Sequence, residues 1–250
     1  MKVNCLNFAT SKNSRYSFLY GSELVIKQDI ADQILQSLKL AGFNDKVSLH
    51  QDELDKAEEI ISRNVGGSLF QEKLILHLKH TSGKFPEKIK MILENQHLYN
   101  SDNLALIVES SIEKTPASGT WIKYIDEKGL IVNCSKLKTN EEKIWLKRQL
   151  EFLPKSLLPM FGGSIFQNNE GNLLGQMNEV RLLKLLFNSK QEIDETETTN
   201  IVFHSGLSAF ELEDVIIDRK FEKVLQTINF LKEHDSQNSA PLIWMIAKII

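Results

Sequence analysis

Cysteine is scarce in this chain: two residues, Cys5 and Cys134, in 250. They stand far apart, with neither a CxxC spacing nor a histidine cluster beside them, so a metal or redox centre has no support and both read as plain thiols. Long apolar runs are missing too. The longest, PLIWMIA at 241–247, is far short of the ~20 residues a membrane helix needs. Residues 1–15 mix Lys2, Asn4, Asn7, Ser11, Lys12 and Asn13 into every apolar stretch, which argues against a signal peptide. Charge of one sign is absent as well: 30 basic against 33 acidic residues leave a net charge of -3, and the pI is near 6.1. No basic field nominates nucleic acid as a direct partner. These absences together describe a cytoplasmic protein with no membrane partner and no resident metal or cofactor.

Catalytic signatures are equally sparse. A phosphate loop needs GxxxxGK[ST] after the first strand, so that backbone N–H groups wrap around phosphates. After YSFLYG the chain continues SELVIK, without a second glycine or a Lys-Ser/Thr pair. Gly83–Lys84 is followed by Phe85 and has no partner glycine five residues earlier. There is no GxSxG elbow. His77 and His80 stand three apart, a spacing that points them to opposite faces of a strand, and they read as exposed or core-edge residues rather than metal ligands. Lys143, Lys147, Arg148 and Lys155 form a modest basic patch, a solvated helix face or a weak phosphate contact.

What is present is regular. With 42% hydrophobic and 25% charged residues the composition is ordinary for a globular protein, and the length suits two or three domains. YSFLYG (16–21) is strand-like, and Ile26, Ile30, Ile34 and Leu38 then recur every four residues up to Gly42, predicting a helix with a glycine stop. KVSLH (46–50) is a short strand, and Leu54, Ala57, Ile60 and Ile61 share one helical face. KLILHLKH (73–80) is a strand, Phe85, Ile89, Ile92 and Leu93 form a stripe, and NLALIV (103–108) is apolar enough for a central strand covered on both sides. A helix through Trp121–Ile125 and the strand LIVNC (130–134) complete an alternation that implies βαβ crossovers and a mostly parallel sheet. From Thr139 and Glu142, a possible capping box, the pattern turns helical, and NLLGQMNEVRLLKLLF is its strongest helix. NSKQEIDETETTN reads as an acidic loop. Ser208 and Glu211 offer another capping box, and helices are expected near 219–234 and 240–250, with Trp244 as core.

One stretch fits no stripe. In NVGGSLFQEK (64–73), Leu69 and Phe70 follow two glycines and precede a polar triplet. The pair either begins the next strand and tucks beneath the sheet, or projects as an anchor. In the second case, burial in a partner's pocket would release roughly 1.5–3 kcal/mol per side chain. Gly66 and Gly67 allow the backbone angles that would turn the pair outward.

Taken in order, FLYGSE, SLF before KLILHL, NLALIV, EGNLLGQMNEVRLLKL and AFELEDVIIDRKFEKVLQTINFLKE resemble the delta subunit of the bacterial DNA polymerase III clamp loader, from about residue 16 to the end. EGNLL (170–174) is similar to the gammaproteobacterial branch. The resemblance implies an AAA+-like α/β module without a functional phosphate loop at 1–136, a small helical lid domain at 137–204, and the start of a helical collar at 205–250. It implies a non-catalytic subunit that binds the sliding clamp (beta) through a hydrophobic wedge of Leu69 and Phe70, flanked by Ser68 and Gly67, and that helps open the clamp for loading onto primed DNA. Its other partners would be the remaining loader subunits through the collar, with DNA contacted only indirectly or weakly. Two departures stand out. Gly67 occupies a position where relatives often carry a larger apolar residue, implying a narrower and weaker wedge, and the chain ends at Ile250 where the family would continue, as expected of a fragment. The competing readings are a degenerate P-loop ATPase and an unrelated α/β regulatory protein with a helical oligomerisation tail.

Overall fold

The structure, a computed structural model, describes residues 2–8, 14–65, 73–115 and 119–189, with residues 216, 221, 222, 224, 225 and 228. The chain divides into two compact units, Met1–Lys138 and Thr139–Ile250.

The first unit is built on β1 (Lys2–Asn4), β2 (Tyr16–Tyr20), α1 (Leu24–Leu40), β3 (Asp45–His50), α2 (Asp55–Val65), β4 (Leu74–His80), α3 (Glu87–Glu94), β5 (Leu104–Ser110), α4 (Thr120–Lys128) and β6 (Leu130–Asn133). The strands form one sheet in the order β1-β6-β2-β5-β4-β3, with every pairing parallel. β4 and β5, each buried at every position but one, lie inside the sheet, as expected for strands covered on both faces. β1 is an addition to the sequence reading, which treated the first fifteen residues only as a polar lead-in. Its three residues pair with β6, Lys2 opposite Ile131 and Asn4 opposite Asn133, and close that edge.

Alternation along the strands sorts side chains into two layers. On one face Tyr16, Phe18, Leu76, Leu78, Leu106, Val108 and Ile131 meet Leu54 just before α2, Ala57 and Ile61 of α2, Ile89, Ile92 and Leu93 of α3, and Trp121, Ile122 and Ile125 of α4. An aromatic knot fixes this layer: Phe18 meets Trp121 edge-on at 5.4 Å, and Trp121 stacks on Phe85 at 4.9 Å. On the other face Leu19, Ile75, Ala105 and Ile107 are fully buried beneath the four-residue stripe of α1. The predicted glycine stop is present: Gly42 takes φ +90°, and the Phe43 amide turns back to the Leu38 carbonyl.

The second unit contains α5 (Thr139–Gln149), α6 (Leu158–Asn168) and α7 (Leu173–Ser189). α7 is the helix that the sequence pattern marks most strongly. The Glu142 carboxylate of the expected capping box reaches across the unit instead. It accepts the Gly171 amide at 2.8 Å and a hydrogen bond from the Gln176 side chain, and both Glu142 and Gln176 are buried. Helices expected near 219–234 and 240–250, the Ser208–Glu211 capping box and Trp244 lie largely or wholly outside the described residues. No described helix is long and apolar enough to cross a membrane.

Candidate functional site

A parallel α/β sheet has two chemically different edges. Ligands in such folds usually sit at the carboxyl ends of the strands, beside the helix that follows the first crossover. Here that edge is occupied by the protein's own backbone. Only residues 21–23 connect β2 to α1. Gly21, at φ +129°, lies so close to the chain leaving β6 that a Cβ on it would stand 2.3 Å from the Cys134 carbonyl carbon. The Glu23 amide donates to the Cys134 carbonyl at 3.0 Å, and the Cys134 amide donates to Tyr20 at 2.6 Å. A turn this short, sewn to the neighbouring strand, is not the extended glycine-rich loop that wraps backbone N–H groups around a phosphate.

Beside this turn lies a buried polar cluster. Lys27, on the first turns of α1, is 3% exposed and donates to the Ser110 carbonyl at 3.2 Å. Burial pulls its pKa below the ordinary lysine value, against the opposing charge of Glu109. His77 Nε2 pairs with Glu109 Oε1 at 2.6 Å. Burial alone would raise the Glu109 pKa, but the His77 hydrogen bond and charge, with Lys79 and Lys27 nearby, lower it on balance. His80 Nδ1 meets Ser110 Oγ at 2.9 Å. Both histidines are therefore buried, not exposed; their opposite orientations are as expected, since His80 lies edge-on to Phe85 at 5.7 Å on the α3 side. Burial also raises the Cys134 pKa far above the ordinary thiol range, which leaves it a poor nucleophile. No group of metal-ligating side chains is found among the described residues. Sequence reading missed Lys27 and Glu109, whose signal is slight: a lysine directly beside the apolar stripe at Ile26, and a carboxylate closing an apolar run.

The amino edge is the one that bears the segment singled out in the sequence. Gly67, Ser68, Leu69 and Phe70 lie outside the described residues, but the chain on either side of them is fixed. On one side, α2 ends at Val65 and the Asn64 carbonyl accepts from Ser101 Oγ at 3.4 Å. On the other, Lys73 Nζ donates to the Ala41 carbonyl at 3.0 Å and lies 5.3 Å from the Phe43 ring centroid, while the Leu74 amide donates to Asn103 at 2.8 Å. Arg15 braces the same edge through the Ser101 carbonyl at 2.7 Å and Asp102 at 2.9 Å. The described residues on either side, Asn64 and Lys73, are thus held on the side of the sheet opposite the polar cluster.

The parallel six-stranded sheet, layered by helices and joined in sequence to a helical unit, is an AAA+-like fold. The DNA clamp loader delta protein of Bacillus subtilis superimposes with a TM-score of 0.59 over 94% of this chain and 71% of its own, at 16% identity. Residues 17–135 match the family model described as DNA polymerase III, delta subunit. DNA polymerase III subunit delta of Haemophilus influenzae is 20% identical over 233 residues, 90% of this chain, and the chain spans 66% of that relative's length. The resemblance read from the ordered motifs is borne out over residues 17–135, the stretch that matches the delta-subunit family model.

Proposed function

We propose that this chain acts as the delta subunit of a replicative clamp loader, binding the sliding clamp through Leu69 and Phe70 and helping to open it. The observation that carries the reading is the family match across residues 17–135, which spans the SLF segment. The anchored ends of that segment support it, because a side chain presented from a fixed base loses less entropy on binding than one on a free tail. The backbone-filled carboxyl edge supports a non-catalytic role. Clamp opening then draws on binding energy: an anchor that fits the open clamp better than the closed one shifts their balance by that difference in affinity and no more. Ser68 and Gly67 flank the wedge, residues 137–204 form the lid, and residues 205–250 begin the collar through which other loader subunits assemble.

Titration of purified sliding clamp against the wild-type chain and the Leu69→Ala/Phe70→Ala double variant tests this directly. The expected loss is at least about 2 kcal/mol, near 30-fold in Kd. Unchanged affinity in a folded double variant removes the wedge, and no clamp association by the wild type removes the whole reading. ATP turnover that survives stringent purification would instead favour an ATPase.

A further inference from the structure

The helical unit carries a groove that the clamp reading does not use. It has a volume of about 620 Å³ and runs between α5 and α6. Its lining is mainly apolar, with Leu158, Pro159, Gly162 and Gly163 at least partly open to solvent above the buried Leu146, Leu150 and Phe166. Such a volume falls within the range of roughly 300–1,000 Å³ typical of pockets that take a ligand or a set of anchoring side chains. The α6 wall is thin because it is made of Gly162 and Gly163, and a Cβ placed on Gly163 would meet nothing within 4 Å. Two adjacent glycines inside a helix cost stability relative to alanine, about 1 kcal/mol each. They open the groove at that expense.

The rim is of one sign. Lys143, Lys147 and Lys155 line the groove, and its lining contains no aspartate or glutamate. Lys143 Nζ lies 4.6 Å from the Phe166 ring centroid, so one cation is held directly over the apolar floor. Lys147 and Lys155 are exposed and enter no ion pair among the described residues. This arrangement distinguishes between two anionic partners. A nucleic-acid backbone needs cations but gains nothing from a greasy trough, whereas a helix with an apolar stripe flanked by carboxylates matches both features at once.

From this charge complementarity we propose that the α5–α6 groove is a docking site for an acidic amphipathic helix of a partner protein. Apolar side chains at i, i+3 or i+4, and i+7 fill the trough between Leu146 and Phe166, and carboxylates on the flanks meet Lys143, Lys147 and Lys155. The proposal stands independently of the wedge, which lies in the other unit.

The test is a selection of helical peptides from a random display library on the full 250-residue chain, with anisotropy titration of the enriched sequences. Enrichment of peptides with an apolar i, i+3/i+4, i+7 stripe and acidic flanks is expected. Their affinity should fall at least tenfold in Lys143→Glu/Lys147→Glu and in Gly163→Leu, and should weaken as salt is raised. Gly163→Leu fills the groove while improving helix propensity, so its loss of binding does not reflect misfolding. No enrichment, or enriched peptides indifferent to Gly163→Leu, overturns the proposal. Short single- or double-stranded DNA that binds in a manner abolished by the charge reversal, with no peptide enriched, also overturns it. Peptide binding that appears only after deletion of residues 190–203 assigns the groove to the chain's own acidic stretch and overturns the partner.

Discussion

Gly21 and Cys134 meet backbone against backbone: the position a Cβ would take on Gly21 lies 2.3 Å from the Cys134 carbonyl carbon and 2.5 Å from the Ser135 nitrogen. Neither neighbour is the flexible end of a side chain, so the sheet itself would have to yield. Gly21 also takes φ +129°, a conformation side chains rarely adopt. Gly21→Ala should therefore destabilise the α/β unit by about 3 kcal/mol, the sum of overpacking and backbone strain. Gly83→Ala is the control. Its φ of +82° is strained too, but nothing lies within 4 Å of the added methyl. It should cost about 1 kcal/mol, the strain alone. Urea unfolding of the three proteins measures the difference, and equal losses would show that the contact with Cys134 does not limit substitution.

The Glu109–His77 pair gives stability a pH dependence of defined sign. Glu109 has an ordinary pKa of 4.5 and a lower one in the fold, so just below pH 4.5 the unfolded chain binds the proton first. The stabilisation is present above that value and is lost as pH falls through the folded pKa. The groups facing the carboxylate are His77, Lys79 and Lys27. Glu109→Gln removes the titration while keeping the shape, and is expected to cost about 1–2 kcal/mol at neutral pH. The gap between wild type and variant should then narrow as the pH drops below 4.5. Chemical denaturation across pH 3–7 reads this difference; a constant gap would mean that Glu109 titrates alike in both states.

In the helical unit, Glu142 holds α5 to the start of α7. Its carboxylate is buried and accepts from the Gly171 amide and the Gln176 side chain, which also donates to the Asn169 carbonyl at 2.9 Å. Glu142→Ala leaves those donors without their acceptor and opens a small void, at a cost of about 2–3 kcal/mol. Hydrogen exchange should accelerate in α5 and α7 while β4 and β5 retain their protection. Uniform acceleration in both units, or none, would contradict this placement of the interaction.

How far these features were legible in the sequence depended on whether their cause was local. The α1 stripe and the apolar runs of β4 and β5 report burial directly, because period and composition alone determine which faces meet the core. β1 has three residues, two of them polar, and its existence depends on the exposed edge of β6 rather than on its own pattern. Glu142 lay at the spacing of a helix cap, yet the donors it serves belong to residues 171 and 176, a pairing that no local rule contains. Lys27 is a buried charge and Glu109 a partly buried one, and their tolerance depends on Ser110 and His77, partners remote from them in sequence, respectively. The proposed wedge lies outside the described residues and rests on a different signal: Leu69 and Phe70 conflict with every local period, and such conflicts concentrate where a chain serves function rather than its own core.

That conflict extends to Gly67. A glycine directly before Ser68 offers a partner no side chain to bury, although residues 66–72 begin one position after α2 and end against the fixed Lys73. If the wedge acts as proposed, Gly67→Met should add apolar contact worth roughly 1.5–3 kcal/mol when buried, less about 0.5–1.5 kcal/mol for ordering the side chain. The net gain is about 1 kcal/mol, near fivefold in clamp affinity. Most of it should appear as slower dissociation, since variants of one interface differ mainly in that rate. Surface plasmon resonance on immobilised clamp separates the rates. The same substitution in a Leu69→Ala/Phe70→Ala background should recover little, because a flanking residue cannot seat itself without the anchors beside it. An equal gain in both backgrounds would place Gly67 outside the wedge and assign its effect to nonspecific apolar contact.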